Sequence, residues 1–205
     1  MLQTHSVAAL EDRKLFSYEE YRDSLEKMVH GEPSDFPVQP GDKVRFLPIN
    51  LQRMRRMEKT LSLQPDLQKL LLNIHTPLLW VVIAEPWCGD GAQNLPVFHR
   101  MAHTNPLIEL KIILRDTNSD FMDQYLTDGK RSIPILICYN AETGEELFTW
   151  GARPSSLEKE IVTFKEQNPG YDHDSFLVFV HGWYAKDKGN GVQEDFVKLI
   201  SNFNV

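Results

Sequence analysis

Apolar positions in the first third of the chain recur at helical spacing. Leu51, Met54, Met57 and Leu61 form one stripe, with Arg53, Arg55, Arg56 and Lys59 off it, which predicts an amphipathic helix with a solvated basic face. Upstream, "SYEEYRDSLEKMVHG" predicts a shorter helix, with Ser17 as N-cap, Glu20 completing a capping box and Gly31 closing it. "EPSDFPVQPGDK" reads as a loop from its prolines, and Pro65 marks a short interruption before "PDLQKLLLNI" resumes as helix. From Leu78 the pattern changes. "LLWVVIA" (78–84) is a continuous, β-branched apolar run, the mark of a central strand covered on both faces. A helix marked by Ala92, Leu95, Phe98 and Ala102 follows, ending near Asn105-Pro106. "LIELKIILRD", "IPILICY" and "ELFTW" predict three more strands. "SDFMDQYL" is a short helix capped by Ser119, and "RPSSLEKEIVTFKEQNPG" a longer one stopped by Asn168-Pro169-Gly170. Phe176, Val180, Trp183 and Tyr184 fit a helix, although "FLVFV" alone also reads as a strand. After the turn "KDKGNG", Phe196, Leu199, Ile200 and Phe203 line a last helix.

Composition narrows the classes of function. With 205 residues, 41% hydrophobic and 25% charged, the chain is long enough to bury a real core. A net charge of -7 argues against nucleic acid, whose phosphates need a basic face. No apolar run approaches the ~20 residues that cross a bilayer, and "MLQTHSVAALEDRK" has no secretory pattern. Two cysteines exclude a disulfide framework and point to a reducing cytoplasm.

The candidate chemistry sits at "VVIAEPWCGDGAQ". A strand that delivers Cys88 to the first turn of a helix exposes its sulfur to free N–H groups and the positive dipole end, which favour thiolate. Asp90 acts in the opposite sense, because a nearby carboxylate disfavours a second negative charge. These two effects compete. Trp87 covers one side of the turn, and the plain alternative for Cys88 is a small buried hydrophobe. In "RSIPILICY", Pro134 opens an apolar run, where proline is tolerated only at a strand end or edge. His99 and His103 stand i, i+4, but no cysteine or carboxylate partner stands at metal spacing, so they read as packing or surface residues. A Cys88–His99 dyad fails on distance, since that helical separation spans about 16 Å. "YDHDSF" (Asp172, His173, Asp174) reads as a turn into a helix N-cap.

"AEPWCGDGAQ", followed later by "RSIPILICY" and "TGEELFTWGA", resembles the thioredoxin superfamily: a Trp-Cys-Gly turn, an Ile-Pro segment before a strand, a hairpin and a closing Gly-Ala. The resemblance covers about Leu78 to Asn168 on a β-α-β-α-β-β-α frame. It implies an α/β, thioredoxin-like three-layer fold, with a central mixed sheet flanked by helices and extra N-terminal and C-terminal helices. The organisation expected is a helical extension over 1–48, the thioredoxin-like domain over 49–168, and a C-terminal helical extension over 169–205 packed on the same domain. The helix before the first strand, Leu51 to Ile74, takes the place of the family's first core helix. The resemblance also implies a cis bond before Pro134, facing Cys88. With it comes a substrate groove formed by Trp87, Gly89, Asp90, Gly91, Ile133 and Pro134 around a catalytic Cys88.

Two departures matter. Gly91 stands where the family has its resolving cysteine, and Val82 where it commonly buries an acid. Dithiol exchange needs the second sulfur to expel the substrate. Cys138 is no substitute: four strand residues beyond Pro134 span roughly 13 Å, against a ~7 Å limit between bridged Cα atoms. The leading expectation is therefore a cytoplasmic single-thiol protein that forms mixed disulfides with protein or low-molecular-weight thiols, without metal or cofactor. A second is a binding module that keeps the groove and has lost the chemistry. A third, by likeness to monothiol glutaredoxins, is an iron–sulfur cluster shared by two chains, since one chain offers one thiolate.

Overall fold

The apolar runs pair as one mixed sheet in the computed structural model, which describes residues 6–202 apart from the side chain of Asp42. β1 (Leu78–Ala84) lies parallel to β2 (Ile108–Leu114) on one side and antiparallel to β3 (Ile135–Asn140) on the other. β3 pairs antiparallel with β4 (Glu146–Gly151), so the order across the sheet is β2-β1-β3-β4. Successive side chains of a strand face opposite ways. Trp80, Val82 and Ala84 accordingly enter the larger core, and Val81 and Ile83 the smaller one beneath Phe121, Met122 and Tyr125. Both faces are covered, which is why β1 reads as unbroken apolar sequence.

The helices are α1 (Tyr18–His30), α2 (Gly41–Val44), α3 (Leu47–Thr60), α4 (Pro65–Leu72), α5 (Gly89–Ala102), α6 (Ser119–Met122), α7 (Ser155–Gln167), α8 (His173–Asp187) and α9 (Asn190–Asn202). The capping box of α1 is complete: Ser17 Oγ accepts from Glu20 N–H at 3.1 Å, and Glu20 accepts from Ser17 N–H at 2.7 Å. Gly31 ends that helix at φ +72, a left-handed position that favours glycine. The expected loop after it closes in the single turn α2. The stretch Leu51 to Ile74 is two helices rather than one. α3 already starts at Leu47, with Pro48 in its first turn, and Pro65 opens α4. α6 is capped at Asn118, one residue before Ser119. The Asn118 amide turns back instead to donate to Leu114 O at 2.8 Å.

Both terminal segments join this framework. Phe16 exchanges backbone hydrogen bonds with Ile112 at 2.8 and 2.7 Å, adding a one-residue bridge to β2. Phe196 of α9 is fully buried, its ring 5.3 Å from Trp80, 5.7 Å from Phe98 and 6.3 Å from Trp150. Beside it, Asp195 accepts from Trp150 Nε1 at 3.0 Å and from Ser155 N–H at 2.8 Å, so a carboxylate of α9 satisfies the exposed start of α7. Phe203, expected on the face of α9, lies outside the described residues. α8 is helical throughout, because "FLVFV" packs through Val180 and Tyr184 against Leu157 and Ile161 of α7 rather than pairing in the sheet.

Candidate functional site

β1 runs out at Ala84, and Glu85-Pro86-Trp87 turn the chain into α5 with Cys88 as its N-cap residue. The sulfur does what a capping oxygen normally does: Gly91 N–H donates to Cys88 Sγ at 3.3 Å. The thiol in turn donates to the carbonyl of Ile133 at 3.4 Å. Antiparallel pairing of β1 with β3 makes this meeting obligatory, since it puts the residues just before β3 opposite those just after β1. The Ile133–Pro134 peptide bond there is cis. Gly151 closes the same corner. At φ +147, any Cβ there would sit 2.4 Å from the carbonyl oxygen of Pro134, so only glycine fits the "TWGA" end of β4.

The competition at Cys88 is decided by burial. The residue is 7% exposed. Burial and then Asp90 push its thiol up to about 12, and the Gly91 and Asp90 N–H groups with Arg153 do not offset them. Asp90 itself is held by Arg153, whose Nη2 and Nε lie 2.9 and 3.1 Å from Oδ2. Cys138 is fully buried on β3 opposite Trp80, and burial pushes it likewise up to about 12. The described cysteines are both free.

A cleft of about 580 Å³ opens over the turn. On the site side its wall is Trp87, Cys88, Gly89 and Asp90; across from them stand residues of α8 and of the α2–α3 region. Gly91, Ile133 and Pro134 are buried and do not line it. The opening thus lies on the α3–α8 side of Cys88, away from the proline corner where the family resemblance places a groove.

Five residues that shape the site escaped the sequence pattern. Arg53, expected on a solvated face, is half-buried and lines the cleft, because α8 folds over that side of α3. His181 of α8 presses on the start of α5: a Cβ at Gly89 would meet its Cε1 at 2.5 Å and Arg53 Nη1 at 3.1 Å. Burial, then the Arg53 charge, push this imidazole down to about 4, so it is neutral near pH 7. Lys43 Nζ and the Arg115 guanidinium lie 4.0 and 4.6 Å from the Trp87 ring centre, a double cation–π clamp. Glu85, 1% exposed, is an acid buried three residues before Cys88, while Val82 in the expected place is apolar core. The only sequence signal for Glu85 was an acid directly after seven apolar strand residues.

Glu85 accepts from Asp116 N–H at 2.7 Å through one oxygen, and its other oxygen has no partner. Burial pushes its carboxyl up to about 7 against the opposing Asp116 N–H, Arg115 and Lys43. Below pH 4.5 the group is protonated folded or unfolded and costs nothing. As pH rises toward 7 the unfolded chain ionises freely and the folded one does not, so stability falls, by about 3 kcal/mol in all. Glu85→Gln is expected to recover up to that amount at pH 8 and nothing near pH 4. Urea unfolding of both proteins across that range checks it, and parallel pH profiles would refute the buried charge.

His99 stacks on Tyr18 with centroids 4.1 Å apart and lies 5.5 Å from His103. Among the described residues no three His, Cys, Asp or Glu side chains converge as a metal site, and no helix is long and apolar enough to cross a membrane.

A four-stranded mixed sheet with a capping cysteine at the end of β1, facing an Ile-Pro corner before β3, defines a thioredoxin-like protein. The chain belongs to the thioredoxin family: a family model described as Thioredoxin matches residues 46–167. No curated protein matches the chain. Among solved structures, a protein of unknown function from Pseudomonas aeruginosa is 19% identical over 91% of this chain and 98% of that one, with a TM-score of 0.57. An HIV epitope-scaffold is 18% identical over 92% of this chain and 99% of that one, with a TM-score of 0.55. Both are similar in fold.

Proposed function

We propose that this chain is a thioredoxin-fold binding module that holds its ligand in the cleft between α3 and α8, with Cys88 as part of the wall. The carrying observation is the state of that thiol: buried, donating to Ile133 O, and without a second thiol beside it, yet bordering an open apolar cleft. A nucleophile must be a thiolate, and this one is held as thiol. The described residues of the segments 1–48 and 169–205 belong to the same unit in this reading, because Phe46 and α8 both line the cleft. The net charge of -7 speaks for partners other than nucleic acid, and two unbridged cysteines fit a reducing compartment such as the cytoplasm.

A second reading is single-thiol exchange, favoured by the Gly91 N–H on the sulfur at 3.3 Å. Cys88 Sγ would join one sulfur of a bound disulfide and release the other as a thiol, and an external thiol would then free Cys88. Titration calorimetry with Cys88→Ala separates the two, using glutathione disulfide and a panel of apolar peptides and carboxylates. The module reading expects Cys88→Ala to keep binding its ligand, weakened by no more than about tenfold for the lost wall contact, with no added mass on the protein. Binding lost with Cys88, together with a thiol-reversible adduct, would overturn it in favour of exchange.

A further inference from the structure

The cleft is chemically two-ended. Phe46 and Ile49 on one side and Leu177 and Val178 on the other give it apolar walls, and Ile49 and Val178 remain 41% and 75% exposed. At the Gly89 end stands Arg53. Its guanidinium donates at 2.8 Å to the neutral amide oxygen of Asn50, and among the described residues no carboxylate lies within ion-pair distance of it. The nearest acid in the cleft, Asp90, is already engaged by Arg153. Arg56 adds positive charge nearby, and His181 beside it is neutral, with Nδ1 buried and unpartnered. A half-buried cation without a counter-ion costs free energy that a bound anion would recover. At the other end is Asp174, two helical turns and about 10 Å from His181 along α8. It repels a second negative charge.

We infer that the cleft binds a linear amphiphile with a single carboxylate, its head on Arg53 beside Gly89 and its alkyl chain running along Leu177 and Val178 toward Asp174. The inference rests on the binding-module reading and names its ligand class. A volume of about 580 Å³ lies within the ~300–1,000 Å³ of small-molecule sites. None of the residues holding the head need be ordered by the ligand, since Asn50 and the packing against Gly89 already position them.

The test follows intrinsic tryptophan fluorescence, to which Trp87 in the cleft wall contributes, while decanoate, octanoate and decanol are titrated into the full chain. Each methylene buried strengthens binding about fourfold, so decanoate should exceed octanoate about fifteenfold. Decanol should bind at least tenfold more weakly than decanoate. Arg53→Gln should abolish that preference while leaving the dependence on chain length. Val178→Asp, at a position exposed enough to leave folding intact, should weaken all three ligands tenfold or more. Equal affinity for acid and alcohol, or an Arg53→Gln protein that still prefers decanoate, overturns the inference. If no amphiphile saturates but an uncharged apolar peptide binds and is lost in Val178→Asp, the ligand class fails and the module stands. Loss of all binding in Cys88→Ala would instead strike the module reading itself.

Discussion

Iodoacetamide is expected to modify Cys88 roughly fiftyfold more slowly than an ordinary cysteine at pH 7, with a rate still climbing at pH 10. The folded protein raises this thiol from 9.0 to about 12, which cuts the thiolate fraction about a thousandfold. A more basic thiolate is a better nucleophile, with a Brønsted slope of about 0.4–0.5, and that returns roughly twentyfold. Limited access to a residue only 7% exposed slows the reaction further. Asp90→Asn should accelerate it, because that carboxylate is the largest cause after burial. Peptide mass mapping separates Cys88 from Cys138, and unfolding in urea should restore the ordinary rate at both. A plateau below pH 8 would mean a poised thiolate and would move the balance to the exchange reading.

The second large effect concerns the end of the chain. Phe196→Ala is expected to destabilise the fold by about 3–5 kcal/mol, the range for removing a large aromatic side chain from a core. Phe196 is fully buried and meets Trp80, Phe98 and Trp150, which come from β1, α5 and β4. These rings belong to different elements and cannot collapse together into the space left. Urea unfolding with unchanged slope would measure the loss as a shift in midpoint. A change below about 1 kcal/mol would show α9, which lies beyond the matched family segment in sequence, to be peripheral to the core.

These two residues mark how far the sequence could be read. The strand-to-helix turn at Cys88, the capping box of α1, the Gly31 stop and the succession of strands and helices along the chain were legible, because each is written in neighbouring residues through period and cap chemistry. So was the missing second thiol, since Gly91 is a plain substitution and Cys138 is too far along its strand. Arg53 was misread for the complementary reason. A hydrophobic stripe reports the face a helix turns to its own core, and says nothing of a later helix that covers another face. His181 carried no signal, because its neighbour Gly89 comes from a distant part of the chain.

By itself, then, the sequence determined the alternating framework, the capping position of Cys88 and the impossibility of a dithiol cycle within one chain. Only the tertiary structure decided that Cys88 is a protonated thiol, that Glu85 is the buried acid of the site, and that α8 turns one side of α3 into a cleft. Local preferences act over one or two helical turns. Desolvation and charge are summed over everything packed nearby, and what packs nearby is set by the fold.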